Sequence, residues 1–235
     1  MPYELTYGPA AAAEPAERAA FIRRTYGHLA GAILAFIGLE ALLLRVVPAQ
    51  LIEQTFFGSR YSWLLVLLAF MGASWVAQMW ARSRTSSAMQ YLGLGLYVVA
   101  EAVIFLPLLY IAQYYCRSPN VIPTAGILTL AVFGGLTVTV FVTRKDFSFL
   151  GPILSVGSLI ALGLIVVAIF VGFDLGTLFA AAMVVLMSGY VLYYTSNVLH
   201  HYRTDQHVAA ALALFAAIAT LFWYILQIVM SGNRR

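Results

Sequence analysis

Nine carboxylates are spread over 235 residues, and two of them lie inside long apolar stretches. Glu101 follows Tyr97-Val98-Val99-Ala100, with Pro107 six residues further on. Glu40 lies within Ile37-Gly38-Leu39-Glu40-Ala41-Leu42, five residues before Arg45. A carboxyl among apolar side chains has two chemical uses: it can exchange a proton or meet a cation. The alternative is a neutral acid hydrogen-bonded to a neighbouring helix. A proline near Glu101 frees a backbone carbonyl and can kink a helix, which favours a water-lined cavity there. Glu40 can reach a membrane interface or pair locally with Arg45. His28 reads as a packing or interface residue. The stretch His200-His201-Tyr202-Arg203-Thr204-Asp205-Gln206-His207 gathers three histidines and an aspartate. Its spacing fits no closed zinc pattern and no cysteine joins it, so no metal or other cofactor is expected. These histidines remain able to titrate between about pH 5 and 8.

No catalytic constellation accompanies these groups. The chain has no phosphate loop, no Gly-x-Ser-x-Gly elbow and no His-Glu-x-x-His. Ser188, in Met-Ser-Gly-Tyr, has no carboxylate or histidine at its own depth to activate it. The chain is not expected to be an enzyme.

The elements that must position Glu40 and Glu101 follow from composition. The chain is 63% hydrophobic and only 9% charged, whereas a soluble domain carries about 25% charged residues. So few charges cannot cover a water-exposed surface, and lipid removes the need. The expected class is an all-α membrane protein. A span needs roughly 20 mostly apolar residues, and seven runs qualify: 25–47, 62–81, 91–113, 124–142, 150–172, 175–199 and 208–230. Short links between them make consecutive helices antiparallel neighbours. Residues 1–22, rich in Ala, Pro and Glu, read as a disordered tail, 23–230 as the transmembrane domain and 231–235 as a C-terminal tail. The first 20 residues lack a basic start followed by an apolar run, so the first membrane helix is expected to act as the insertion signal.

Charge sets the orientation. With the N-terminus inside, the inner segments hold Arg18, Arg23, Arg24, Arg82, Arg84, Arg144, Lys145 and Arg203. The outer ones hold Arg45, Arg60, Arg117, Arg234 and Arg235. The bias predicts a cytoplasmic N-terminus. The net charge of +4 comes from these topology signals, not from a nucleic-acid patch. Cys116, the single cysteine, rules out an intramolecular disulfide. Gly27-x-x-x-Gly31, Gly93, Gly95 and Gly134-Gly135 read as places where helices pack closely.

Several segments resemble one family. Thr143-Arg144-Lys145-Asp146-Phe147-Ser148-Phe149-Leu150-Gly151 is similar to the Thr-Lys/Arg-Lys/Arg-Asp-Phe-Ser-x-Leu/Met-Gly loop of the Bax inhibitor-1 family. The run from Thr129 to Thr137, the opening Phe21-Ile22-Arg23-Arg24-Thr25-Tyr26-Gly27, Glu101 with Leu106-Pro107-Leu108, and Ser188-Gly189-Tyr190-Val191-Leu192-Tyr193 resemble other segments of that family in the same order. The resemblance implies six helices packed around a central seventh. It implies an inner (plasma) membrane protein associated with pH-sensitive calcium leak, with calcium as the transported ion and not a cofactor. It also raises an alternative: a membrane-embedded regulator of another membrane protein, such as a quality-control protease, to which the N-terminal tail would suit a grip on a chain terminus.

The leak members use two aspartates as a proton-sharing switch. Here Tyr194 stands at the first aspartate position, within Tyr193-Tyr194-Thr195, and Ala217 at the second. The helix over 208–230 has no carboxylate at all. The aspartate switch therefore cannot be carried over. Tyr194 and Ala217 are expected to face each other across a neutral contact, and any leak is expected to be weak and not gated by an aspartate pair. Glu101 and Glu40 remain as candidates for an ion pathway.

Overall fold

The structure is a computed structural model that describes residues 9–83 and 86–233, with only the backbone of Arg60. Residues 1–8, Arg84 and Arg234-Arg235, which entered the tail and charge readings above, lie outside the described residues. Among the described residues eight α-helices follow in order: α1 (Pro15–Val46), α2 (Ala49–Phe57), α3 (Arg60–Ala81), α4 (Ser87–Tyr114), α5 (Val121–Thr143), α6 (Leu150–Val171), α7 (Gly176–His200) and α8 (His207–Ser231). Among the described residues, seven of them, all but α2, are long and apolar enough to cross a membrane.

The bundle has an inside and an outside. Of the most apolar stretch of α8, 72% is buried, against 61% for α4 and no more than 22% for any other span. α8 touches α1, α3, α4, α5 and α7, while α6 rides on α7 and α3. The expected central seventh helix is therefore present, and α4 is buried almost as deeply. Large side chains such as Leu34, Leu65, Val142, Leu159, Leu178 and Val185 point outward, as hydrocarbon solvent demands.

Two parts of the fold differ from the sequence reading. The first is the described part of the segment read as tail. Helix α1 starts at Pro15, and a short 3-10 turn spans Ala10–Ala12. Proline at the first helical position and Glu17 in the first turn are a start signal, and alanine propagates it. The segment is also tied down: the Ala10 N–H donates to the Tyr202 carbonyl at 2.8 Å and the Thr204 hydroxyl donates to Glu17. The second is α2. Pro48 ends α1 and caps a helix of nine residues, too short to span. Its buried Ile52 and Phe56, one turn apart, pack on Leu106 and Tyr110 of α4.

Close packing falls at one of the glycines named above. A Cβ on Gly93 would lie 2.5 Å from the Ala77 carbonyl oxygen, so α3 and α4 meet there backbone to backbone. At Gly27, Gly31, Gly95, Gly134 and Gly135 a Cβ would meet nothing within 4 Å. The Gly27-x-x-x-Gly31 pair is therefore not a helix-packing motif in this chain. Gly172 (φ +83°) and Gly176 (φ +68°) form the tight turn between α6 and α7, in left-handed conformations that other residues resist.

Candidate functional site

Glu101 sits halfway along α4 and is 3% exposed. The chain does not break at Pro107, which lies inside the continuous α4. On the side towards Tyr114 a cavity of ≈ 750 Å³ reaches Glu101. Its wall includes Phe105 and Leu108 of α4, Trp223 and Gln227 of α8, and Asp174 and Thr177 at the α6–α7 turn. Because Asp174 and Ser231 line its mouth, the cavity belongs to the face that carries the α6–α7 turn and the end of α8.

Glu40 is brought near Glu101 from α1. Its side chain is 4% exposed, and it lies close enough to Glu101 for the two charges to interact. Among the described residues neither Glu40 oxygen has a hydrogen-bond partner. Both readings offered for Glu40, an interface position and a local pair with Arg45, are thus corrected. Five residues along a helix turn about 140°, so Arg45 points outward while Glu40 faces α4. The two carboxyls, 61 positions apart, come within electrostatic range because α1 and α4 are parallel neighbours in contact, an arrangement joined by the T-shaped Phe36–Phe105 contact at 5.1 Å.

One turn from Glu101, towards the Ser87 end of α4, the buried Tyr97 hydroxyl is placed to donate to the Glu101 carboxyl. The Ser74 hydroxyl of α3 lies beside Tyr97. The Tyr97 ring meets Phe70 at 6.2 Å and Phe215 at 6.1 Å, which makes an aromatic layer across the bundle between Glu101 and the opposite face. The site is therefore a cavity that ends at Glu101, with Glu40 within electrostatic range of that carboxyl and an aromatic layer beyond. Sequence reasoning named both carboxyls but missed their pairing, and missed Tyr97 and Ser74.

The remaining sequence candidates serve elsewhere. Tyr194 is partly buried, with its ring against Tyr190 at 5.6 Å and Tyr193 at 5.2 Å. Its neighbour Thr195 is fully buried and lies by Tyr26 of α1. Ala217 is buried in α8. Phenols and hydroxyls thus occupy the surroundings of the first former aspartate position. Of the histidine-rich loop, His201 turns to Asp146 and His207 to His28, whose ring centroid is 5.0 Å away.

The loop Thr143-Arg144-Lys145-Asp146 fastens α5 and α6 to α7. Arg144 ends α5 in a left-handed conformation (φ 52°), with its N–H on the Val140 carbonyl. The Thr143 hydroxyl donates back to the Thr139 carbonyl at 2.7 Å, and the Lys145 carbonyl accepts from Ser196. Asp146 accepts from the Ser148 N–H at 2.8 Å and from the Ser196 hydroxyl at 3.3 Å, and pairs with His201 at 2.9 Å. These contacts, the Ser148 N–H foremost, hold its carboxyl down at about 2. A carboxyl lowered on folding stabilises above its unfolded value, and that contribution fades as pH falls towards 2. Because the Asp146 side chain is nearly half exposed and screened by solvent, Asp146→Ala should cost no more than about 1 kcal/mol at neutral pH. Thermal melts of wild type and variant should converge between about pH 4 and 2; a gap that stays constant with pH would remove the carboxylate from the explanation.

With this geometry in hand, comparison with known proteins is decisive for the family. The model of the family described as Inhibitor of apoptosis-promoting Bax1 matches residues 18–235. The chain belongs to the Bax inhibitor-1 family. It is 29% identical over 228 residues to Protein LIFEGUARD 4 of Arabidopsis thaliana, covering 93% of this chain and 87% of that one. It is 30% identical over 224 residues to the uncharacterized protein PA2604 of Pseudomonas aeruginosa, covering 93% and 92%. It is 35% identical over 114 residues to Bax inhibitor 1 of Schizosaccharomyces pombe, covering 48% and 43%. This Bax inhibitor-1 family member is a multi-pass membrane protein with seven candidate spans.

Proposed function

We propose that this family member is a weak cation leak protein whose ion site is the Glu40–Glu101 pair, standing in for the aspartate pair that Tyr194 and Ala217 replace. The observation that supports the reading is a buried carboxyl, Glu101, reached by a cavity and within electrostatic range of a second buried carboxyl, Glu40, which has no hydrogen-bond partner among the described residues. Two neighbouring carboxyls out of water exchange protons as a unit. Calcium favours several oxygen ligands, carboxylates among them, and Glu40, Glu101, the Tyr97 hydroxyl and the Ser74 hydroxyl supply four oxygen-bearing side chains in one neighbourhood. The layer of Tyr97, Phe70 and Phe215 keeps the leak small by closing the route beyond Glu101. The distribution of basic residues supports an inner (plasma) membrane orientation with the N-terminal face cytoplasmic, so that the cavity faces outward.

Calcium entry into proteoliposomes, measured across pH 6–8, tests the reading. Wild type should exceed protein-free vesicles, and Glu101→Gln should lower the flux at least tenfold. Flux no greater than in empty vesicles overturns it. The regulator alternative predicts that a second membrane protein co-purifies from native membranes; a chain that comes out alone even after crosslinking argues against it.

A further inference from the structure

The outer surface of the bundle carries a second concavity, a groove of ≈ 790 Å³ between α1 and α4. Its mouth is basic: Arg23, Arg24 and His28 line it. Both arginines are exposed, and among the described residues neither guanidinium is paired with a carboxylate. Arg24 and His28 both lie within electrostatic range of His207, so positive groups gather at this end. The floor is glycine. Gly27, Gly31 and Gly95 line the groove, and a Cβ at each would meet nothing within 4 Å. These glycines therefore do not draw two helices together, as Gly93 does; they hold a trough open. The groove continues past Val98 to Leu39. From Arg24 to Leu39 the helix rises about 22 Å, more than the roughly 15 Å of one hydrocarbon leaflet.

We propose that this groove binds one anionic glycerophospholipid, its phosphate at the Arg23 and Arg24 guanidinium groups and one acyl chain along the glycine floor. Charge complementarity selects the headgroup: guanidinium groups at the end of a membrane helix take a phosphate in charge-assisted hydrogen bonds. Shape selects the chain, since an apolar trough facing lipid is filled by hydrocarbon. The two halves of the site are separable, because the arginines read charge and the glycines read shape.

Native mass spectrometry of the full-length protein, incubated with dioleoyl phosphatidylglycerol or dioleoyl phosphatidylcholine, reads the bound lipid directly. The anionic lipid should be retained at least tenfold better. The double variant Arg23→Gln/Arg24→Gln should abolish that preference. Gly31→Leu/Gly95→Leu, which fills open space and leaves the fold intact, should lower retention at least tenfold. Gly135→Leu, at an open position on α5 outside the groove, should change nothing. Equal retention of the two lipids overturns the proposal. So does retention of the anionic lipid that is undiminished in the glycine variant, which would mark general attraction to the arginines, and so does a loss that Gly135→Leu shares. A dimer whose abundance falls in Gly31→Leu/Gly95→Leu would assign the groove to a second copy and overturn it as well.

Discussion

Glu40→Leu should make the protein more stable and less active at once. The wild-type carboxyl is 4% exposed and, among the described residues, unpartnered on both oxygens. A buried polar group without a partner costs about 1–3 kcal/mol. Leucine is close in volume and removes that cost, so a gain of about 2 kcal/mol is expected. In a chain of this size that is roughly 4–8 °C in melting temperature. If Glu40 served packing alone, calcium flux would be untouched by the change. On the proposed mechanism flux falls at least tenfold while the melt moves up. A fall in both, or a melt that does not move, would mean that Glu40 has a structural partner and that the carboxyl is not held in place for a functional reason.

Gly93→Ala should be strongly destabilising for a single added methyl. The added Cβ would lie 2.5 Å from the Ala77 carbonyl oxygen and 2.6 Å from the Ala81 nitrogen, both backbone atoms that cannot rotate away. α3 and α4 would have to separate, and overpacking of this kind costs about 3 kcal/mol. The matched substitution Gly95→Ala, two residues on and in open space, should be neutral or should stabilise by up to about 1 kcal/mol, because alanine favours helix over glycine. Thermal melts in one detergent compare the two. Equal effects at positions 93 and 95 would contradict the close α3–α4 approach. The consequence reaches the site, since α4 carries Glu101 and Tyr97 on the same helix.

These two positions also show what a sequence can and cannot reveal. Composition and apolar run length are properties of the chain in its solvent, so the seven spans were legible. The depth of Glu101 was legible for the same reason. The pairing of Glu40 with Glu101 was not, because it depends on two parallel helices, not consecutive among the spans, lying side by side with one particular rotation each. Local spacing pointed Glu40 towards Arg45, but a five-residue step places them on different sides of α1. Glycine spacing misled in a similar way: Gly27-x-x-x-Gly31 has the pattern of a packing motif, while Gly93 does the packing. Within the N-terminal segment, the stretch from Pro15 to Ile22 was misread on composition, although Pro15, Glu17 and the alanines around them carried an ordinary helix start. The replacement of both family aspartates by Tyr194 and Ala217 was legible, and it directed attention to the carboxyls that remain.

The central claim is that Glu40 and Glu101 act as one site, and calcium flux in a double-mutant cycle tests it most directly. Glu40→Gln, Glu101→Gln and the double variant are reconstituted at equal density and compared with wild type. Groups that act as a unit are strongly non-additive. Each single variant should lose at least tenfold, and the double variant should lose no more than the worse single one. Independent losses that multiply in the double variant, or a single variant that conducts like wild type, would contradict the paired site.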